Sequence, residues 1–342
     1  MNPLSPLGWL YGVAADARNA LYDRGIFKTH TLGARTISIG NLTTGGTGKT
    51  PLVAHVARLL ADSGEKVCIL TRGYGRRNPA NSVLVSDRSA VRCDARHGGD
   101  EPVELAYKLI GKAAVIADRD RIKGAQRALR ELGSTVFVLD DAFQHRRAER
   151  DVDIVCIDST NPWGNGEILP AGTLRERARN IERADVVVIT RTDLVKDVAS
   201  IEGEIRKLNL QAVVFRSANN ISRIVELQEF LGAKMDDKGS AAIERPLFAF
   251  CGLGNPSNFF RQLELKGLDL AGRKTYPDHH FYTQRDITEI EKRARSSGSE
   301  CLITTVKDAV RLTKAKFSLP CFVAEIETVI ADEEAFRQLI FS

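Results

Sequence analysis

The sequence predicts an α/β protein with a doubly wound, mostly parallel sheet, followed by a second, smaller α/β domain. Short runs of β-branched and aliphatic residues alternate with amphipathic stretches at helical spacing through residues 36–219. The composition becomes polar near residues 217–222 and again near Lys238, and further strand and helix patterns follow. We therefore expect an N-terminal amphipathic helix and lead-in at 1–35, a core at 36–219 and a smaller domain at 220–342.

The composition is that of a soluble globular protein. The 342 residues are 43% hydrophobic and 27% charged, which is sufficient for two domains. The net charge of +5 suits anionic partners such as phosphates or an acidic membrane surface, and we expect no nucleic-acid partner. The six cysteines are scattered without a C-x-x-C pair, so we expect core thiols in a reducing compartment.

The N-terminal stretch, residues 6–27, is amphipathic, aromatic and mildly basic. One helical stripe contains Leu7, Leu10, Tyr11, Ala14, Leu21 and Tyr22, with Trp9 alongside. Asp16 and Arg18 interrupt the apolar residues, and no run of about 18 apolar residues occurs, so we expect neither a signal peptide nor a membrane span. Such a helix can lie in a membrane interface or pack on the core of the protein, and the pattern leaves both open.

A phosphate-binding loop is predicted at residues 36–51, TISIGNLTTGGTGKTP. A strand pattern leads into a glycine-rich turn, then Lys49-Thr50, then a helical pattern, which is the order of a P-loop. Backbone N–H groups can surround an anion, Lys49 can neutralise phosphate charge, and the Thr50 hydroxyl can ligate Mg²⁺. The predicted nucleotide-binding residues are Thr43, Thr44, Gly45, Gly46, Thr47, Gly48, Lys49 and Thr50.

The strict P-loop pattern has glycine at the position of Thr43. The glycines Gly40, Gly45 and Gly46 lie on either side of this position. The turn therefore keeps the backbone freedom that a phosphate-binding loop needs, with its glycines at different positions from the standard pattern. The alternative is an ordinary glycine-rich turn between a strand and a helix. The Gly-Lys-Thr sequence between the two elements favours the nucleotide site.

A Walker B pattern is predicted at residues 135–141, TVFVLDD. It places Asp140 and Asp141 at the end of a buried strand, where carboxylates can hold Mg²⁺ or its waters. Acidic residues commonly end buried strands, so this signal would be weak by itself. It gains weight because it follows a P-loop and two predicted βα units.

Two loops before the Walker B strand carry further candidates. RGYGRR, residues 72–77, follows a predicted strand, and ligands of open α/β sheets bind at such ends, so Arg72 and Tyr74 are candidate substrate contacts. The alternative is an ordinary solvated loop. HGGDEP, residues 97–102, carries Asp100 and Glu101. We expect Asp100 to be a helix N-cap with Pro102 at N1, which does not prevent its carboxylate from facing a cleft.

Two later segments carry candidates as well. The long loop at 164–176 lacks periodicity, which is typical of functional loops, and contains Arg175 and Glu176. YPDHHFY, residues 276–282, contains His279 and His280, which as neighbours in an extended segment cannot face the same point. One can face a cleft while the other packs, and a purely structural pair is equally open.

The P-loop and Walker B pattern predict Mg²⁺–NTP chemistry without identifying the acceptor. A kinase brings a carboxylate to the acceptor hydroxyl, for which Asp100 and Glu101 are candidates, and a histidine from the second domain can pair with that acid. A hydrolysing switch instead orients water with a glutamine such as Gln144. Residues 190–193, TRTD, stand where GTPases carry N/T-K-x-D, although arginine replaces the lysine.

The chain resembles the tetraacyldisaccharide 4'-kinase family, the lipid A kinases of Gram-negative bacteria. The matching segments are GNLTTGGTGKTP (40–51), TRGYGR (71–76), GDEP (99–102), DDAFQHR (140–146), LPAGTLRE (169–176) and PDHH (277–280). The P-loop of this family has the GGTGKTP form, which accounts for Thr43. Thr173 stands where proline is usual. The resemblance extends from the N-terminal helix to the C-terminal domain.

This resemblance implies transfer of the ATP γ-phosphate, with Mg²⁺, to the 4'-hydroxyl of a tetraacylated glucosamine disaccharide 1-phosphate. The implied catalytic residues are Asp100 as general base, His279 as its partner, Lys49 and Arg121. The implied metal-site residues are Thr50, Glu101, Asp140, Asp141 and Gln144. The implied substrate contacts are Arg72, Tyr74, Asp100, Arg175 and Glu176.

The lipid substrate also implies a peripheral location at the cytoplasmic face of the bacterial inner membrane, with shallow contact by the N-terminal helix. The alternative from another class is a P-loop GTPase or metallochaperone-like switch, in which Asp193 reads guanine and Gln144 orients water. That alternative predicts a preference for GTP and no dependence on lipid. A soluble small-molecule kinase would share the site but leave the N-terminal helix without a role beyond packing.

Overall fold

A computed structural model describes residues 3–232 and 246–342, so the predicted polar segment near Lys238 lies outside the described residues. The helices are α1 (Ser5–Asp23), α2 (Lys49–Asp62), α3 (Ala95–Gly98), α4 (Asp100–Lys108), α5 (Arg121–Leu132), α6 (Val198–Leu208), α7 (Leu227–Leu231), α8 (Pro256–Leu265), α9 (Gln284–Ser296), α10 (Val306–Ala309) and α11 (Glu333–Phe341). The strands are β1 (Arg35–Asn41), β2 (Val67–Thr71), β3 (Val83–Ser86), β4 (Ala113–Ala117), β5 (Val136–Asp140), β6 (Val152–Asp158), β7 (Val186–Thr190), β8 (Val213–Glu226), β9 (Leu247–Cys251), β10 (Leu270–Thr275), β11 (Cys301–Thr305) and β12 (Cys321–Ile330). This alternation confirms the α/β class.

Contacts between residues divide the chain into two units. Unit 1 comprises Met1–Arg72, Asp118–Asn219 and Thr328–Ser342, and unit 2 comprises Gly73–Ala117 and Asn220–Glu327. One division of the chain falls between Asn219 and Asn220. The segment 73–117 groups with unit 2 instead of the predicted core, because α4 packs against α10. Composition is read along the chain, so it cannot predict that a segment will pack with residues that are distant in sequence.

The sheet of unit 1 has the P-loop strand near its centre. The neighbouring strands are ordered β2-β5-β1-β6-β7-β8, and every pairing is parallel. Ile39 of β1 lies opposite Asp140 of β5, so the P-loop and the Walker B carboxylates begin at the same edge of this sheet. Strands β2, β5 and β7 are buried throughout, as their unbroken apolar runs predict.

The strands of unit 2 form a parallel set and an antiparallel pair. β10, β9, β11 and β12 are neighbours in that order and run parallel, whereas β3 and β4 are antiparallel. Phe259, Phe260 and Leu263 of α8 join the hydrophobic cluster of this unit. The prediction of a mostly parallel sheet is therefore confirmed.

The polar stretch 217–222 is not a linker but lies inside β8. Phe215, Ser217 and Ile221 are buried, and the Ser217 hydroxyl donates to the carbonyl oxygen of Ile189 (3.4 Å). Polar residues can continue a strand in this way, because a buried hydroxyl can be satisfied by the backbone of the neighbouring strand.

Helix α1 turns its small residues, not its apolar stripe, toward the rest of unit 1. Gly8 and Gly12 are buried, and a Cβ at Gly8 would lie 2.7 Å from the carbonyl oxygen of Ile168. Leu7, Trp9 and Leu10 are 55%, 63% and 59% exposed. Packing on the core therefore does not account for the apolar stripe. No helix within residues 3–232 and 246–342 is both long and apolar enough to cross a membrane.

Candidate active site

The glycine-rich loop of unit 1 is braced at several points. The Asn41 side-chain amide donates to the carbonyl oxygen of Thr43 (2.6 Å) and to the hydroxyl of Thr47 (2.9 Å). The Thr190 hydroxyl donates to the carbonyl oxygen of Thr47 (2.9 Å). Gly48 precedes α2 in the left-handed region, with φ of 79°, and a Cβ there would lie 3.1 Å from the Thr190 side chain. Glycine is therefore needed at position 48, whose N–H begins the anion-binding end of α2.

Thr43 occupies the nonstandard P-loop position without strain. It forms an antiparallel bridge with Leu174, and the next N–H, that of Thr44, donates to the carbonyl oxygen of Thr173 (2.7 Å). The loop at 164–176 thus secures the first half of the P-loop. A β-branched residue suits this extended bridge, whereas the positive φ values of the loop fall at Gly45 and Gly48.

Asp141 contacts the P-loop lysine. Its carboxylate lies 3.4 Å from Lys49 Nζ and accepts from Arg175 Nη1 at 2.8 Å. Burial opposes ionisation of Asp141, but Lys49 and Arg175 outweigh it and lower its pKa to about 2. The backbone of Asp141 also lies in the left-handed region, with φ of 51°. This conformation costs energy in a residue with a Cβ, and residues that adopt it cluster at functional sites.

Asp140 and Arg121 are held behind Asp141. The Asp140 carboxylate accepts from the Thr71 hydroxyl (2.9 Å). Arg121 is buried and donates to the carbonyl oxygens of Asp118 (3.0 Å) and Asp140 (3.1 Å), and burial lowers its pKa to about 10 despite the nearby carboxylates. Arg121 is thus a cation bound to the backbone at the base of the site.

Gln144 and Glu176 form a polar network beside the loop. Gln144 Nε2 donates to Glu176 (2.9 Å) and to the carbonyl oxygen of Asn41 (2.8 Å). Glu176 is buried, and its oxygens also accept from Asn19, Asn180 and Arg183. Both Glu176 oxygens are therefore already occupied within unit 1. Sequence reasoning did not select Asn19, Asn41 or Thr190, since nothing local marks such bracing residues.

These residues fit a nucleotide bound with Mg²⁺. Among the described residues, no group of three His, Cys, Asp or Glu side chains could hold a metal by itself. Mg²⁺ does not need such a cage, because it is usually held by one or two carboxylates together with substrate phosphates and water. The Thr50 hydroxyl at the start of α2 and the ionised Asp141 would supply that minimal set. Of the other predicted metal residues, Asp140 and Gln144 lie in unit 1 and Glu101 lies in unit 2.

In unit 2 the structure brings Asp100 and His279 together across 179 residues of chain. His279 Nδ1 lies 2.6 Å from Asp100 Oδ2, and the Asp100 side chain is almost fully buried. Burial opposes ionisation of Asp100, but the hydrogen bond from His279 and the charge of Lys307 outweigh it, so its pKa lies below the usual range. The hydrogen bond to Asp100 raises the pKa of His279. Both shifts favour the carboxylate–imidazolium form.

The neighbouring residue His280 has a different environment. It stacks on Tyr276 with ring centroids 4.6 Å apart, and its Nε2 lies 3.3 Å from Asp286. His279 has a left-handed backbone, with φ of 61°, and so the two rings diverge. Tyr74, an exposed candidate substrate contact, lies 6.0 Å from the His279 ring between centroids.

Sequence reasoning missed two cations, Lys307 of α10 and Arg311 just after that helix. Lys307 Nζ lies 3.1 Å from Asp278 and 3.5 Å from Glu101. The buried Arg311, just after the helix, donates to the carbonyl oxygen of His280 (3.0 Å) and pairs with Asp308 (3.1 Å). The cations therefore tie together the two segments that carry Asp100 and His279. Their motif, TTVKDAVR, has no local feature that marks it as part of a site.

One local expectation was wrong. Asp100 is the first residue of α4, not its N-cap, and Gly99 occupies the cap position with φ of 91°. A Cβ at Gly99 would lie 3.0 Å from the carbonyl oxygen of Tyr74, so the close approach of the two loops selects glycine there. The Asp100 side chain is consequently available to His279.

The pKa shifts of this pair predict a pH-dependent contribution to stability. The Asp100 contribution is present above the unfolded pKa, about 3.9, and is lost as pH falls through the lower folded value. The His279 contribution is present below about 6.5 and is lost as pH rises through the higher folded value. We expect the coupling between Asp100→Asn and His279→Gln, measured by urea unfolding, to be larger at about pH 5.5 than at about pH 9. An equal coupling at both values would contradict the assigned ion pair, and His30→Gln in unit 1 is the control.

The sheet order and the braced anion-binding loop of unit 1, with its lysine, define a P-loop nucleotide-binding protein, and unit 2 separately carries a carboxylate–histidine pair. The family model described as "Tetraacyldisaccharide-1-P 4'-kinase" matches residues 2–342. The tetraacyldisaccharide 4'-kinase of Syntrophus aciditrophicus is 38% identical over 338 residues, with 96% of this chain and 89% of that protein covered. The tetraacyldisaccharide 4'-kinase of Geobacter metallireducens is 39% identical over 309 residues, with 90% and 88% covered.

A solved structure agrees with these relatives. The crystal structure of LpxK from Aquifex aeolicus in complex with ATP superposes with a TM-score of 0.78 at 30% identity, covering 99% of this chain and 97% of the other. The chain belongs to the tetraacyldisaccharide 4'-kinase family. Membership of this family makes it a kinase of lipid A biosynthesis, and the switch-protein interpretation is set aside.

Proposed function

We propose that this chain transfers the ATP γ-phosphate to the 4'-hydroxyl of the disaccharide lipid with Asp100 as general base. The observation that supports this role most strongly is the 2.6 Å contact between His279 Nδ1 and Asp100 Oδ2. The imidazole fixes the rotamer of the carboxylate and leaves Oδ1, which accepts from the N–H of Glu101 (3.0 Å), as the second oxygen. When the acceptor hydroxyl loses its proton, the proton passes to the Asp100 carboxylate.

The residues of unit 1 hold and neutralise the nucleotide in this proposal. Lys49 and the N–H groups of residues 45–50 bind the phosphates, and Thr50 with Asp141 and Asp140 would hold Mg²⁺, which would supply charge neutralisation. Arg175 can exchange its contact with Asp141 (2.8 Å) for a phosphate oxygen. Glu101 and Arg72 remain proposed as metal-site and substrate residues, respectively.

We assign positioning roles to Glu176 and Arg121 instead of direct substrate contact. The Glu176 carboxylate already accepts hydrogen bonds from Gln144, Asn19, Asn180 and Arg183. Its effect on substrate would therefore be exerted through Gln144. Arg121 donates to the carbonyl oxygen of Asp140 and thereby fixes the end of β5. Both assignments revise the contacts that the sequence alone implied.

The test of the reaction is transfer of labelled γ-phosphate to a tetraacylated disaccharide 1-phosphate in detergent with Mg²⁺. Transfer that requires both ATP and the lipid is expected. Phosphate release from GTP without lipid would instead support a nucleotide switch, and Asp193 and Gln144 would then be the residues to change.

We further propose that α1 contacts the cytoplasmic face of the inner membrane peripherally. The support is the outward orientation of Leu7, Trp9 and Leu10, which no described part of the chain covers. The glycine face that packs on Ile168 fixes this orientation. The depth of insertion is limited by Asp16 and Arg18 farther along the same helix.

Replacing Leu7 and Leu10 together with glutamine should weaken binding to vesicles of anionic phospholipid by about tenfold or more, because each apolar side chain contributes about 1.5–3 kcal/mol on burial. Sedimentation with vesicles measures this. The control is Leu210→Gln, which changes an exposed leucine of unit 1 outside α1. Equal binding by all three proteins would contradict the proposed membrane face.

A further inference from the structure

The segment that follows β7 brings an arginine to the phosphate-binding loop. Arg191 belongs to the TRTD sequence at residues 190–193 and has no role in the proposed reaction. Its guanidinium lies against the loop, because a Cβ at Gly46 would lie 3.8 Å from Arg191 Nη2. The backbone of Arg191 is left-handed, with φ of 60°. Such conformations persist where the surroundings fix them, and they cluster at functional sites.

The Arg191 side chain is held by a buried partner. Its Nη1 atom pairs with the Asp158 carboxylate at the end of β6, and the two side chains are only 13% and 10% exposed. Asp158 Oδ1 accepts from the N–H (3.0 Å) and from the hydroxyl (2.8 Å) of Thr160. The Ser159 hydroxyl donates to the carbonyl oxygen of Arg191 (2.8 Å). Both the backbone and the side chain of Arg191 are therefore fixed beside the loop.

The strand order separates Arg191 from the acidic end of the site. β1, which leads into the loop, lies between β5 and β6, and β7 follows β6. Asp141 follows β5 and contacts Lys49, so the γ-phosphate and Mg²⁺ of the proposed reaction belong on the β5 side. Arg191 follows β7, on the opposite side of β1. A triphosphate whose γ-phosphate lies at Asp141 would therefore extend its nucleoside toward Arg191.

The ion pair of Arg191 favours contact with a base over contact with a phosphate. Hydrogen bonding to Asp158 uses the edge of the guanidinium, and its planar face can still stack on an aromatic ring. Nucleic-acid bases stack on arginine in this way, and every base has such a face. Phosphate binding would instead draw Arg191 away from Asp158 and leave a buried carboxylate unpaired, which is strongly unfavourable.

We propose that Arg191 binds the adenine base of ATP by stacking, and that Asp158 positions its guanidinium. The inference rests on the proposed use of ATP by this chain, and it adds a base contact that the phosphate-binding loop does not provide. Stacking does not read the hydrogen-bonding edge of a base, so Arg191 should contribute equally to the binding of ATP and of GTP.

The test compares the binding of ATP with that of ribose 5'-triphosphate, which lacks the base, by titration calorimetry with Mg²⁺. We expect the wild type to bind ATP about tenfold more tightly, which is the size of one stacking contact. The double variant Arg191→Leu with Asp158→Asn leaves no buried charge unpaired, and the asparagine oxygen can still accept from Thr160. It should raise Kd for ATP and for GTP by about tenfold and leave Kd for ribose 5'-triphosphate unchanged.

A conservative variant separates the planar face from the charge. Arg191→Lys keeps a cation beside Asp158 without the planar face, so its Kd for ATP should also be raised, and it carries the test if the double variant does not fold. The control is Arg216→Ala, which removes the pair of Arg216 with Glu202 between β8 and α6 of the same unit. Its Kd for ATP should equal that of the wild type.

Four results would overturn the proposal. Equal affinity of the wild type for ATP and ribose 5'-triphosphate would mean that the base is not bound. An unchanged Kd for ATP in the double variant would leave Arg191 a purely structural role, and an equal loss for both ligands would place it at the phosphates or the ribose. A wild-type Kd for ATP in Arg191→Lys would show that charge is sufficient. Calorimetry needs no lipid, so a separate assay of phosphate transfer tests the kinase assignment independently.

Discussion

Replacing Asp100 with asparagine is expected to lower kcat by about a hundredfold or more, because a positioned general base contributes about 10²–10⁴. The asparagine keeps the size of the side chain and the possibility of a hydrogen bond to His279, so the loss would report the missing proton acceptor. KM for ATP should change little, since the phosphate-binding loop belongs to unit 1 and Asp100 to unit 2. The measurement is steady-state transfer of γ-phosphate to the lipid.

The chain contains a well-matched control for this experiment. His97 Nδ1 lies 2.6 Å from Asp94, the same separation as between His279 and Asp100, and both pairs belong to unit 2. The Asp94 pair is largely exposed, and Asp94 caps the short helix α3. Asp94→Asn should therefore leave kcat close to that of the wild type. If both substitutions had the same effect, the loss at Asp100 would reflect stability and not catalysis.

Changing Lys49 to alanine should lower kcat by about a hundredfold to a thousandfold, the range for loss of one preorganised electrostatic contact to the transition state. Lys49 Nζ lies 3.4 Å from Asp141, and this contact keeps the ammonium at the mouth of the loop. Binding of phosphate would replace the carboxylate with a more highly charged partner. KM for ATP should also rise, because Lys49 contacts ground-state phosphates.

The control for Lys49 is Lys66→Ala, at an exposed lysine that precedes β2 in unit 1. Urea unfolding of both variants should show that the loss at Lys49 is not a loss of fold. Arg175 still neutralises Asp141 when Lys49 is removed, so we expect the loop to remain formed. Normal turnover in Lys49→Ala would contradict the proposed phosphate-binding role of Lys49.

The pattern of short apolar runs was sufficient for most of the core. The run AAVIA became β4 at Ala113–Ala117, and the Walker B run became β5 at Val136–Asp140, because strands buried on both faces need continuous apolar residues. β8 was missed where Asn219 and Asn220 interrupt the apolar pattern, and β10 was missed because LAGRKT has no buried residue. Such edge or polar strands depend on pairing with a neighbour, which local composition does not encode.

Some features of the candidate site could likewise be predicted from local sequence, and others could not. The phosphate-binding loop could be predicted because glycine, lysine and threonine must stand at fixed spacing at the end of one strand. The direction of the α1 stripe could not be predicted, because Gly8 and Gly12 decide it only through their contact with the 163–179 segment. The contact of Glu176 with Asn19 and the contacts of Lys307 with Glu101 and of Arg311 with His280 were equally hidden, since each joins distant parts of the chain.

The sequence by itself determined the α/β class, the phosphate-binding loop, the acidic end of β5 and, through its joined motifs, the family. These are properties of contiguous residues, where spacing along one strand, turn or helix fixes the geometry. The resemblance implied that Asp100 pairs with His279, whereas only the tertiary structure decided that Glu176 is enclosed and that the apolar face of α1 points outward. Those outcomes depend on hydrogen bonds and packing between segments more than 100 residues apart, which no local pattern specifies.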